Sequence, residues 1–259
     1  MARPLQILRR TGARALPAGW PDLLRQILLF CGAYYLYRVV RGIEDGHVTS
    51  AFAHARTIIH LEKGMGLFFE PNVQHWAQHQ GWAITFANWM YVNSHFVVTT
   101  TFLAWLYLAR NRSFYYVRNM FLVAMGLALA LYTAYPTAPP RFMPEFGFTD
   151  TVADWVGQAA SSSASVFYNP YAAVPSMHVA FALMIGVPGA ILVRHKALKV
   201  LWAIYPAIMS YVVISTGNHF WVDGALGALV AAVSAWSATF GFARLRPEAW
   251  GWHTVKAPV

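Results

Sequence analysis

The chain has 259 residues, of which 58% are hydrophobic, 16% aromatic and only 11% charged. Soluble domains carry about a quarter charged residues and a disordered coil would not tolerate so much apolar surface, so both classes are excluded and a polytopic membrane protein remains. The net charge of +9 does not mark a nucleic-acid binder, because Lys and Arg are scattered between apolar blocks and form no stripe.

Runs of roughly 20 apolar residues fall, in chain order, at about 23–40, 82–108, 114–135, 174–193, 198–216 and 220–243. They predict an all-α bundle of six transmembrane helices, a single domain over 23–243 with tails at 1–22 and 244–259. Arg38, Arg41 and Glu44 stand where a small-residue cleavage site would follow the first run, so that run is expected to be a retained helix. Segment 41–81 carries Gly42, Gly46, Gly64, Gly66 and Pro71 with a His or a charge every few residues, which predicts interfacial helices on one membrane face. Connection 136–173 holds five prolines and Ser161–Ser163, so it is expected to be a loop with one short helix. The single cysteine, Cys31, excludes an intramolecular disulfide and a thiolate metal cluster; it is expected to be a buried small apolar residue.

Placing the N-terminus in the cytoplasm puts Arg3 to Arg25, Arg110 to Arg118, Arg194 to Lys199 and Arg244 to Lys256 inside, 14 of the 19 Lys and Arg residues. That arrangement satisfies the positive-inside rule. Both long connections and the turn Ser215–His219 then face away from the cytoplasm, as do most of the acids, and a plasma membrane location is expected.

Ionisable groups at helix ends on one membrane face are the first places to look for chemistry. Three stretches converge on the outer face: Ala134-Tyr-Pro-Thr-Ala-Pro-Pro-Arg141, Asn169-Pro-Tyr-Ala-Ala-Val-Pro-Ser-Met-His178 and Ser215-Thr-Gly-Asn-His-Phe-Trp-Val-Asp223. In the second, Pro175 suits a helix start and Ser176 an N-cap. The amides of Ser176, Met177 and His178 are therefore expected to face outward as an anion site, with His178 as a proton donor beside it. In the third, His219 and Asp223 stand four residues apart on one helical face. The carboxylate is expected to accept the Nδ1 proton and leave the Nε2 lone pair for attack. A His nucleophile, an orienting Asp, a second His as acid, an Arg and a helix N-terminus together suit phosphoryl transfer.

At these residues the chain resembles the type 2 phosphatidic acid phosphatase (PAP2) superfamily, whose pattern is Lys/Arg-Pro, then PSGH, then SRxxxxxHxxxD. It looks closest to the branch related to inositolphosphorylceramide synthase, the Aur1-like inositolphosphotransferases, in which a PPR-like element, NPYAAxPSxH and STxxHxxxD recur. The resemblance covers residues 82–235 and implies a PAP2-like bundle in which His219 attacks phosphorus, Asp223 orients it and His178 protonates the departing oxygen. It also implies that Arg141, the amides around Ser176 and Met177, and Asn218 with Gly217 bind phosphoryl oxygens, and that no metal or other cofactor is required. The departures bear on substrate. Met177 replaces the motif glycine and Phe142 a proline, while Val213 and Ala134 stand where two motif cations are expected. Fewer cations favour a phosphodiester monoanion or call for a substitute, His95 or Arg118, beside Tyr168 and Asn169 in a substrate pocket.

The implied activity is transfer of a phospho-head-group, such as phosphoinositol, from a membrane lipid to an alcohol or lipid acceptor. Hydrolysis of a lipid phosphate, such as phosphatidate or a polyprenyl phosphate, is the alternative. Two other classes use the same residues: a hydrolase with Zn on His178, His219 and Asp223, and a transporter with a proton relay. An Arg and a helix N-terminus repel a cation, and the ionisable groups sit at helix ends, which counts against both. His75 and His79 have metal-pair spacing but no carboxylate at a matching distance. With Trp76 and Trp82 they suit a face lying on lipid head groups. The stripe Trp89, Tyr91, Phe96 and Phe102 is expected to serve helix packing or lipid contact.

Overall fold

The computed structural model describes residues 16–43, 48–156, 171–241 and Arg244, with the side chains of 37–43, His95 and Val156 left outside that description. The described chain forms helices: α1 (Gly19–Ile43), α2 (Val48–Gly64), α3 (Glu70–His79), α4 (Trp82–Ala109), α5 (Asn111–Ala134), α6 (Thr151–Val156), α7 (Met177–Leu192), α8 (Lys196–Ser215) and α9 (Trp221–Trp236). A π turn, Ser237–Gly241, extends α9. Single 3-10 turns at Pro140–Phe142 and Pro144–Phe146 interrupt the connection after α5. The stretch 136–156 thus holds three short helical pieces where one was expected, the first two opening on Pro140 and Pro144, each of which suits the first position of a turn.

Among the described residues, three helices are long and apolar enough to cross a membrane: α5, α8 and α9 with its π turn. The expectation of six counted apolar residues whether or not they are helical. The run at 174–193 loses its first three residues to the extended approach to Ser176, which caps α7, and α7 is left with 16 residues. In α4 the N-terminal half carries Asn88, Asn93 and Ser94, so only Phe96–Ala109 is a continuous apolar helix. α1 starts at Gly19, ahead of its apolar run, and carries Asp22 and Arg25 in its first two turns.

α7 lies at the centre of the bundle, packed on α8, α9, α4 and α5. Lipid is as apolar as a protein core, so close approach of backbones through small residues holds such helices together. Gly186 and Gly189 of α7 face Trp202 and Pro206 of α8, and a Cβ at Gly189 would stand 2.6 Å from the Trp202 ring. Gly227 of α9 lies equally tight on Ser176. The outward faces of α8 and α9 carry Leu201, Ile204, Leu229 and Val233, as a lipid-facing surface requires. Cys31 is exposed, contrary to expectation, because it borders an open cavity between α1, α4, α5 and α7, lined also by Phe96, Met125 and Phe181.

Candidate active site

One end of the bundle gathers the three sequence stretches. The segment after α5 is pinned there by the Tyr132 hydroxyl, which donates to the Pro175 carbonyl at 3.0 Å, and by an isolated bridge between Thr137 and Ala172. The Ala138 amide donates to the Ala51 carbonyl of α2. The Arg141 amide donates to the Gly217 carbonyl at 2.7 Å, which joins the first stretch to the third.

His219 stands in the connection between α8 and α9. α8 ends at Ser215 and is closed by Gly217 just beyond its cap, whose φ of +66° is the left-handed conformation that stops a helix. The Asn218 and His219 amides then donate back to the Val213 carbonyl at 3.0 and 3.1 Å. The chain turns at once into α9, where Asp223 Oδ2 accepts the Phe220 amide at 2.9 Å as an N-terminal cap. The same oxygen lies 3.3 Å from His219 Nδ1. A carboxylate oxygen only accepts, so Nδ1 carries the proton and Nε2 keeps its lone pair. Both side chains are buried.

His178 occupies the first turn of α7, where Ser176 is the N-cap and takes the Val179 amide on its hydroxyl at 3.4 Å. Its ring stacks on Tyr91 of α4 at 4.5 Å between centroids. The His178 and His219 ring centroids are 5.9 Å apart at an interplanar angle of 59°. An attack distance of about 3–3.5 Å on one side and a hydrogen-bond reach of about 2.6–3.2 Å on the other fit one phosphorus between rings so spaced.

Arg141 is held from two sides. Its Nη1 donates to Asn218 Oδ1, and its Nε lies 3.2 Å from Asp150 Oδ2. The side chain is 8% exposed, so the guanidinium is fixed beside the residue that precedes His219 and its charge is partly offset.

Some sequence-predicted groups have other duties. The Ser176 amide donates to the Asp223 carbonyl at 2.9 Å, so it is removed from the expected anion site and the Met177 and His178 amides are left as the first-turn donors. Gly217 spends its amide on Ile214 and its carbonyl on Arg141. It serves the turn, where a Cβ would meet Gln74 Nε2 at 2.7 Å. Arg118 does not join the site. Its guanidinium donates to Gln26 Oε1 at 2.8 Å and to Asn119, in a network that ties α1 to α5, about 20 Å along the helix axis from Tyr132. Tyr168 and Asn169 lie outside the described residues, as does the side chain of His95. His79 Nδ1 contacts the His75 carbonyl within α3. Tyr91, Asp150, Glu62 and Glu70 border this end of the bundle without having been predicted as site residues.

The fold and this end of it define an all-helical protein with membrane-length helices and a pair of imidazoles, a carboxylate and a guanidinium at one end. A model of the PAP2 superfamily matches residues 56–237, most of the chain, and the protein belongs to that superfamily. Its members are generally phosphatases and phosphotransferases that act on lipid phosphates. No curated protein and no solved structure matches the chain.

Proposed function

We propose that the protein is a membrane lipid phosphotransferase that works through a phosphohistidine at His219. Its Nε2 attacks the phosphorus of a lipid phosphate ester while Asp223 stabilises the ring as it becomes cationic. His178 donates a proton to the departing alkoxide as the P–O bond breaks. In the second half His178 takes the proton back from an acceptor hydroxyl, which attacks the phosphohistidine and restores neutral His219. Arg141 and the Met177 and His178 amides offset the charge on the phosphoryl oxygens. The observation that carries this reading is the 5.9 Å spacing of the two rings, with Asp223 behind the second.

The acceptor is an alcohol, in keeping with the Aur1-like pattern of the motifs, and the moved group is a phospho-head-group such as phosphoinositol. Two features support transfer over hydrolysis. His219 is only 6% exposed, and a site that excludes water protects a reactive intermediate from it. Arg141 is partly neutralised by Asp150, which suits a phosphodiester monoanion better than a monoester dianion. Hydrolysis of a lipid phosphate is the second reading, favoured if water reaches the intermediate. The protein spans the membrane six times, with α1, α4 and α7 joining the three membrane-length helices. Both termini are cytoplasmic, and α2, α3 and the site lie at the outer face of a plasma membrane.

The test is to incubate the purified chain with head-group-labelled phosphatidylinositol, quench at alkaline pH and look for acid-labile label on the protein. Labelled wild type, unlabelled His219→Ala, and slow, weak labelling of His178→Ala, which lacks the acid for the first half, are expected. Normal labelling of His219→Ala overturns the assignment. Comparing release to water with transfer to a lipid alcohol separates the two readings.

A further inference from the structure

Two carboxyl groups from outside the motifs close on the turn that carries His219. Glu62, near the end of α2, and Glu70, which opens α3, are both fully buried. The chain folds back between them: the Leu67 amide donates to the Glu62 carbonyl at 2.8 Å, and Gly66 takes a φ of +70°. Glu70 Oε1 then accepts the Trp221 amide at 2.9 Å, and Glu62 Oε1 accepts the Val222 amide at 3.4 Å. With the Phe220 amide on Asp223, three consecutive amides that open α9 are each held by a carboxyl oxygen. These are amides that a helix leaves unpaired and that favour negative charge.

The remaining oxygens, Glu62 Oε2 and Glu70 Oε2, are buried and receive no donor from any other described residue. The two carboxyl groups act on each other electrostatically, and a proton on one of them removes that repulsion. Asp223 brings a third acid to the same place, with the His219 ring as its partner, whereas Lys63 is turned toward the rings of Phe68 and Phe146. Ionising both glutamates would leave a buried charge unpaired. Glu62 keeps the proton: burial first, then the neighbouring Glu70, push its pKa up to about 9, against the pull of the Val222 amide.

We infer that Glu62 and Glu70 are positioning residues for His219, a pair of buried carboxyl groups that hold the Trp221 and Val222 amides, lock the first turn of α9 and so fix the imidazole two residues ahead of it. Neither touches the phosphorus. The clamp itself is independent of the phosphohistidine reading; only its effect on turnover rests on that reading.

The test uses the full-length chain in phosphatidylcholine nanodiscs with Glu62→Gln, Glu62→Ala, Glu70→Ala and wild type. Infrared spectra at pH 7 are expected to show a buried carboxylic-acid carbonyl band that Glu62→Gln removes; a wild type without that band overturns the protonated Glu62. Hydrogen exchange at the Trp221 and Val222 amides is expected to speed up by about tenfold or more in the alanine variants and to recover in Glu62→Gln, which keeps an acceptor for Val222. Unchanged exchange in the alanine variants overturns the clamp. Neither measurement needs a substrate, and if the alanine variants do not fold, the infrared comparison of wild type with Glu62→Gln still decides. In turnover of head-group-labelled phosphatidylinositol, Glu62→Ala is expected to lower kcat by about tenfold or more with KM nearly unchanged, since small misplacement of a reacting group acts on the chemical step. A rise in KM with kcat intact overturns positioning, whereas an inert wild type counts against the proposed substrate and leaves the clamp standing on the first two measurements.

Discussion

Gly227 of α9 and Ser176 at the start of α7 touch through their backbones: a Cβ at Gly227 would lie 2.3 Å from the Ser176 carbonyl oxygen. One turn earlier on α9, the Asp223 carbonyl accepts the Ser176 amide. Two helices that approach this closely bring His178, two residues after Ser176, and His219, four before Asp223, to the same place.

Gly227→Ala is therefore expected to separate the two imidazoles. The added methyl meets backbone, which cannot swing aside as a side chain tip can, and overpacking of this kind costs about 1–3 kcal/mol. Turnover should fall by about tenfold or more, with a lower Tm. Gly126→Ala, on α5 where an added Cβ meets nothing within 4 Å, is the control and should leave both unchanged. Equal behaviour of the two variants in melting and kinetic measurements would contradict the argument.

Part of the geometry of the candidate site was legible because it is local. His219 and Asp223 are only four residues apart and meet, though His219 stands in the turn before α9 and not on the helical face that the spacing suggested. Ser176 caps α7 as its place before Met177 and His178 required. What escaped is non-local or competitive. Glu62 and Glu70 reach α9 from about 150 residues away, and only the fold-back at Gly66 makes residues eight apart face each other. The Ser176 amide was expected to bind an anion, but a carbonyl from another helix reaches it first. Spacing alone could not show that competition. Six apolar runs were legible too, yet capping residues and polar positions cut or dilute each run, and among the described residues three helices are both long and apolar enough to cross a membrane.

Arg141 lies between Asn218 and Asp150, which makes its geometry as important as its charge. Arg141→Ala should lower kcat/KM by about 100-fold or more, the scale of losing one charged donor to phosphoryl oxygens. Arg141→Lys should recover little, because an ammonium cannot reproduce the fork that meets Asn218 and Asp150 from two directions. Asn218→Ala should fall between wild type and Arg141→Ala. Full recovery by lysine in steady-state measurements would reduce the role of Arg141 to a point charge.

Treatment with EDTA separates the phosphohistidine reading from one in which His178, His219 and Asp223 hold Zn. The Arg141 guanidinium and the first-turn amides of α7 repel a cation and attract an oxyanion. Activity and acid-labile labelling should survive dialysis against chelator and should not rise when Zn is added back. Loss on chelation with recovery on Zn would transfer these side chains to metal ligation.

Glu62 gives the stability of the protein a pH dependence of definite sign. Its pKa rises from 4.5 to about 9, through burial first and then the neighbouring Glu70. Below the lower value both folded and unfolded chains hold the proton. Between the two the unfolded chain has released it and the folded chain has not, so stability declines as pH rises across this window and the contribution is gone above about 9. Glu62→Gln holds the same contacts without titrating. Between pH 7 and 9 the Tm of wild type should therefore fall more steeply than that of Glu62→Gln, and the two curves should draw apart as the proton leaves. Parallel curves across that range would mean that Glu62 is already ionised in the folded protein, and the carboxyl pair beside α9 would then need a different counter-charge.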